Sequence, residues 1–148
     1  MTDTPRASVI KPHSHSEAFD RIELDYEARF LRRKRLTTAG GISFILDLPE
    51  TVSLDEGNHI VLDDGREVVV VAAPEPLLLV RGHITRLAWH IGNRHTPCQI
   101  EADHLLIRDD HVLEQMLQKL GAEVTHVTQP FTPEGGAYGH GRTHSHEH

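Results

Sequence analysis

The segment "HGRTHSHEH" at the end of the chain carries His140, His144, His146 and His148. Imidazole is a borderline donor that suits zinc, copper and nickel, with affinity rising through nickel to copper. Interspersed histidines in a pliable segment can gather around one ion. Such ligation is weak and exchangeable, which suits capture and transfer better than a locked structural site. A purification tag reads as an unbroken histidine run, and this segment does not. A second group of donors, His90, His95 and Cys98, lies in "HIGNRHTPC" at 90–98. Pro97 restricts Thr96 to extended geometry, so the turn aims His95 in a fixed direction. His90 reads as a residue of the last helical turn, and Cys98 as a small buried hydrophobe. His111 follows Asp109 and Asp110 at a predicted helix start. The two aspartates are accounted for by capping and the helix dipole. A cationic histidine is disfavoured there, and a neutral imidazole is what a metal needs, so His111 is a secondary ligand candidate. His13 and His15 add two weaker candidates.

Other chemistries lack their residues. The sequence contains no H-E-x-x-H, no phosphate-binding glycine loop and no G-x-S-x-G. A zinc hydrolase needs three fixed ligands and a general base, and no base is placed beside the histidines. The expectation is a metal-binding protein that is not an enzyme. Its net charge of -7 argues against nucleic acid as a partner. The run "RFLRRKRL" at 29–36 lacks interleaved aromatics and reads as a solvated strand face or a patch for an acidic partner. A single cysteine excludes an internal disulfide and a multi-cysteine zinc framework. The longest apolar run, "VVVVAAPEPLLLV", is interrupted by Pro74, Glu75 and Pro76 and is too short to span a bilayer. With no apolar leader at the N-terminus, a soluble cytoplasmic protein without a membrane partner is expected.

The elements that must position these donors divide into two textures. Residues 1–18 are polar and are expected to be flexible. From 19 to 75 short alternating or apolar runs are separated by "TTAGG", "DEGN" and "DDG" turns, which predicts a small all-β barrel or sandwich. "ISFILDL" is expected to stop at Pro49, and "APEP" at 73–76 to link two domains. From 76 to 131 the order is strand, helix, strand, strand, helix, strand, the ferredoxin-like arrangement. Ile84, Leu87, Ala88 and Ile91 mark the apolar stripe of the first helix, with Gly92-Asn93 as its left-handed cap. Val112, Leu113, Met116, Leu117 and Leu120 mark the second. Residues 132–148 lack an apolar period and are expected to be a disordered His-rich tail. The fold class is therefore α+β.

Several segments in order resemble one family. "RRKRLTTAGGISFILDLPE" resembles the N-terminal β domain of UreE, the urease accessory proteins that act as nickel metallochaperones. "LVRGHITRLAWHIGNRHTPCQI" resembles the signature of that family, with G-N-R-H its most specific part, and "DDHVLEQMLQKLGAEV" and "PFTPEGGAYGHGRTHSHEH" follow in register. The resemblance covers nearly the whole chain. It implies a partner-binding β domain, a metal-binding second domain that forms the homodimer, and a nickel ion shared by His95 of two chains. One histidine per chain is too few for an ion, and two-fold symmetry doubles it. It also implies delivery of Ni2+ to the urease apoprotein with the help of the accessory GTPase UreG. Zn2+ and Cu2+ are further candidates for the same donors. The competing reading is a nickel, zinc or copper buffer without a client, which has no need of the β domain. Two departures from the family pattern stand out. Some members carry His-Asp-His where this chain has Asp109-Asp110-His111, and Cys98 occupies a place that resembles an aliphatic position of the family.

Overall fold

A computed structural model describes residues 4–135 of the chain. The chain separates into two compact units, Met1–Ala73 and Pro74–His148. Both α and β structure are present: ten strands in two sheets, and two helices, among the described residues.

The first unit is one six-stranded mixed sheet. Its strands are β1 (Arg6–Lys11), β2 (Asp20–Leu24), β3 (Phe30–Thr37), β4 (Ser43–Ser53), β5 (His59–Leu62) and β6 (Glu67–Ala72), in the spatial order β2-β6-β5-β1-β4-β3. Residues of both edge strands, Ile22 and Leu24 of β2 and Leu31 and Leu36 of β3, join Phe44, Leu46, Ile60 and Val70 in a single core cluster. A flat sheet cannot bring its two edges to one core, so this sheet curls around it. The N-terminal residues depart from expectation. Arg6–Lys11 lie in a strand between β4 and β5, because Ala7 is an apolar anchor and both neighbours offer unpaired backbone. Pro49 does not end its strand either. Between the pairs Leu31↔Val52 and Arg33↔Asp47 the register slips, and Pro49 sits in that bulge, where no ladder hydrogen bond is required of it.

Ile22, Leu24, Tyr26, Ala28 and Phe30 alternate with polar residues as one strand would, but a turn divides them between β2 and β3. Ala28 N–H donates to the Asp25 carboxylate and Arg29 N–H to the Asp25 carbonyl. The reversal buries Arg29 at 3% exposure, where its guanidinium donates to the carbonyls of Leu24 and Leu54 at 3.0 and 3.1 Å. A second buried polar group holds the segment after β1. The Glu67 carboxylate accepts from Ser14 Oγ at 2.6 Å, His59 Nδ1 at 2.8 Å and Lys11 Nζ at 3.0 Å.

The second unit runs β7 (Pro74–Arg81), α1 (Ile84–Asn93), β8 (Gln99–Ile100), β9 (Leu105–Arg108), α2 (His111–Lys119) and β10 (Glu123–Pro130). Its four-stranded antiparallel sheet has the order β10-β7-β9-β8. The "APEP" segment is strand, not linker. Pro74 and Pro76 pair with Pro130 and Thr128 of β10. On the other side β7 meets β9 only from Leu77 onward, so the missing proline N–H groups fall beyond the end of β9. One core cluster packs Leu87 and Ile91 of α1 and Leu113 and Leu117 of α2 onto Leu78, Val80, Leu105 and Ile107 of the sheet. The predicted stripe of α2 loses one member: Val112 is 60% exposed. Leu113, Met116, Leu117 and Leu120 keep the helical period, and Val112 stands about 100° off Leu113.

Candidate metal centre

The described histidines of the second unit are best understood through the helices that carry or flank them. His83 precedes α1 (Ile84–Asn93) as its N-cap, and its Nδ1 accepts the Arg86 amide at 3.4 Å. His83 thus has a capping role. His90 lies in the last turn, with its ring edge-on to Trp89 at 5.1 Å between centroids.

The end of α1 differs from the expected Gly92-Asn93 cap. Neither residue is left-handed; His95 is, at φ 57°. His95 N–H donates to the Gly92 carbonyl at 2.9 Å, and Thr96 N–H reaches the Ile91 carbonyl at 3.4 Å. These are the paired bonds of a Schellman ending, with histidine in the position that glycine usually fills. Helical geometry extends past Asn93 because Arg94, at φ -95° and ψ 7°, still caps it. The left-handed position therefore moves to the next residue. A non-glycine residue there costs on the order of 1–2 kcal/mol. The side chain of His95 is exposed.

Cys98 follows in the chain but differs in character. It packs at the edge of the helical core. Burial, with the nearby negative charge of Glu134, pushes its thiol up to about 11. In the metal-free protein at neutral pH it is a protonated, weakly nucleophilic thiol.

At the start of α2 the two aspartates divide their work. Asp110 caps the helix, accepting the Leu113 amide at 3.1 Å. His111 is exposed, with Nε2 3.1 Å from the Gln115 side-chain amide. Asp109 is not the cap; its Oδ1 lies 4.0 Å from His126 Nδ1. On the other side His126 Nε2 is 3.0 Å from Glu114 Oε2. Asp109, Glu114 and His126 each offer a ligand atom within 4.8 Å of the others, the one such grouping among the described residues. Sequence reasoning passed over Glu114 and His126. A signal did exist. Val124 packs into the helical core, and His126, two residues on, shares that face by strand alternation. Its cross-strand partner Leu78 is also a core residue.

His95 and His111 are outside that grouping. His140, His144, His146 and His148 lie outside the described residues. His13 and His15 are exposed in the first unit. His59 of that unit, also passed over, is buried against Glu67. No helix among the described residues is long and apolar enough to cross a membrane.

This two-unit α+β chain displays imidazoles and carboxylates at the helix termini of its second unit, donors of the kind that divalent metal ions take. Comparison with known proteins gives the family. The family model described as UreE urease accessory protein, N-terminal domain, matches residues 5–73, and that of the C-terminal domain matches 66–148. The urease accessory protein UreE of Paracoccus denitrificans (strain Pd 1222) is 66% identical over 122 residues, covering 82% of this chain and 79% of that protein. That of Rhodobacter capsulatus is 60% identical over 144 residues, covering 97% and 92%. That of Ruegeria pomeroyi is 56% identical over 148 residues, covering 99% of each. The chain belongs to the UreE family of urease accessory proteins.

Proposed function

We propose that this chain is a cytoplasmic nickel metallochaperone that delivers Ni2+ to apo-urease during assembly of the urease metal centre. It acts as a carrier and not as an enzyme. The observation that carries the reading is His95: an exposed imidazole projecting from a Schellman turn that fixes its backbone. Family membership supplies the urease context. A rigid backbone places an exposed donor without burying the ion, as a carrier that must release its cargo requires.

In this reading the second unit, 76–131, is ferredoxin-like and forms a homodimer in which His95 of each protomer holds one shared nickel. The β-α-β-β-α-β order supports the fold assignment. Trp89 on α1, 64% exposed, and Ile100, 48% exposed, support an apolar contact on the unit that carries His95. His140, His144, His146 and His148 of the 132–148 tail complete or exchange the ligand shell, and His111 is an accessory ligand. Zn2+ and Cu2+ compete for the same imidazoles. The β unit, 19–75 with the strand that precedes it, docks partners. These include the urease apoprotein and the GTPase UreG.

Nickel titration by calorimetry on the whole chain, on His95→Ala and on a chain ending at Tyr138 tests the reading. His95→Ala should lose the tightest site per dimer. The shortened chain should bind fewer ions yet keep that site. A full-strength dimer site in His95→Ala overturns His95 as the anchor.

A further inference from the structure

Asp109, Glu114 and His126 come from three elements of the second unit: the loop before α2, the first turn of α2, and β10. Their ligand atoms lie within 4.8 Å of one another. Neighbouring donors bonded at about 2.1 Å in a tetrahedral or octahedral shell stand roughly 3.0–3.4 Å apart. Glu114 Oε2 and His126 Nε2, at 3.0 Å, already have that spacing, and the Asp109 carboxylate lies beside the same ring, with Oδ1 4.0 Å from Nδ1. Asp110 supplies the cap of α2, so the Asp109 carboxylate is not committed to that helix.

The donor set is two carboxylate oxygens and one imidazole. It suits divalent first-row ions of the zinc, cobalt and nickel class and lacks the soft sulfur that copper(I) selects. The side chains of Asp109 and His126 are 47% and 59% exposed, and that of Glu114 is 18% exposed. Water can therefore fill the remaining coordination positions, and an ion can enter directly from solvent.

We infer that Asp109, Glu114 and His126 form a divalent transition-ion site complete within one protomer and distinct from His95. It needs no second chain and no tail histidine, and it does not rest on the nickel-carrier reading. The ion takes the place of the proton between His126 Nε2 and Glu114 Oε2, and rotation of the exposed Asp109 side chain from the Nδ1 edge of the ring supplies the third ligand.

The test is Zn2+ titration of the full-length, 15N-labelled protein, observed through the side-chain nitrogens of its histidines. The His126 ring signal should shift with Zn2+ and saturate at one ion per protomer at that site. Glu114→Gln and Asp109→Asn should each weaken that response by about tenfold or more, since even the loss of an outer-shell partner of a metal site costs that much. His95→Ala should leave it intact. An unchanged His126 signal at saturating Zn2+ would show only a hydrogen-bonded pair and overturn the site. So would an equal response in Glu114→Gln, or loss of the response in His95→Ala, which would assign the ion to a His95 centre.

Discussion

The backbone amide of His95 is bonded to the carbonyl of Gly92 at 2.9 Å, and that bond places a histidine at φ 57° where α1 turns back. The histidine proposed as the nickel anchor is also the one non-glycine residue among the described residues with positive φ. Local backbone strain and an exposed donor coincide at one position, a pattern that recurs at functional sites.

That coincidence separates folding from function in a single substitution. His95→Gly removes a side chain from a left-handed position and should leave stability unchanged or raise it by up to about 1 kcal/mol. His95→Val should lower it by about 1–2 kcal/mol, because a branched Cβ is least tolerated there. Thermal unfolding of the two variants measures the difference. Both should lose the tightest nickel site, and retention of that site in either variant counts against His95.

Neighbouring aspartates should behave differently. Asp110→Ala removes the cap on Leu113 N–H and should cost about 1 kcal/mol in urea unfolding. Asp109→Ala should cost less than about 0.5 kcal/mol, since its carboxylate caps nothing and its contact with His126 is exposed and long at 4.0 Å. Equal losses would mean that both carboxylates support α2.

The first unit carries an acid-sensitive tie. Hydrogen bonds from Ser14, Lys11 and His59 hold the Glu67 carboxyl at about 2, against its ordinary 4.5. A folded value below the unfolded one means that the unfolded chain binds the proton first. The contribution of Glu67 is thus complete above about pH 4.5 and is lost as pH falls toward about 2. Denaturation midpoints between pH 6 and pH 2 should show that loss, and Glu67→Gln should flatten it. A wild-type curve with the same slope as that of Glu67→Gln would dismiss the tie.

Cys98 should be inert. With its thiol at about 11, roughly one molecule in a thousand is thiolate at pH 8. Iodoacetamide should modify native Cys98 far more slowly than the unfolded chain. Cys98→Ser should keep full nickel affinity, and a loss of tight binding in that variant would return the sulfur to the ligand shell.

Much of the second unit was legible because helices announce themselves locally. Leu87 and Ile91 are buried at the spacing that marks an amphipathic face, and Asp110 caps where a cap was expected. Strands were harder. Pro49 and the "APEP" prolines looked like stops, yet one sits in a bulge and the others beyond the end of β9. Whether a strand tolerates proline depends on which neighbour needs its N–H, and pairing is not a local property. The same limit applies to β1, whose short apolar content gave no hint that β4 and β5 would flank it.

By itself the sequence determined the donors: which residues are imidazoles, how they are spaced, and that Pro97 and the helix ends would constrain them. Those are properties of residue type and of a few consecutive torsions. The tertiary structure decided which donors meet. Glu114 and His126 are separated by the rest of α2 and a turn, and only the packing of that helix over β10 brings Oε2 and Nε2 to 3.0 Å. Likewise, where α1 stopped decided which residue became left-handed. The hydrogen bonds that close a helix are settled by the whole turn together, and they passed over Gly92 and Asn93 to set His95 at the corner.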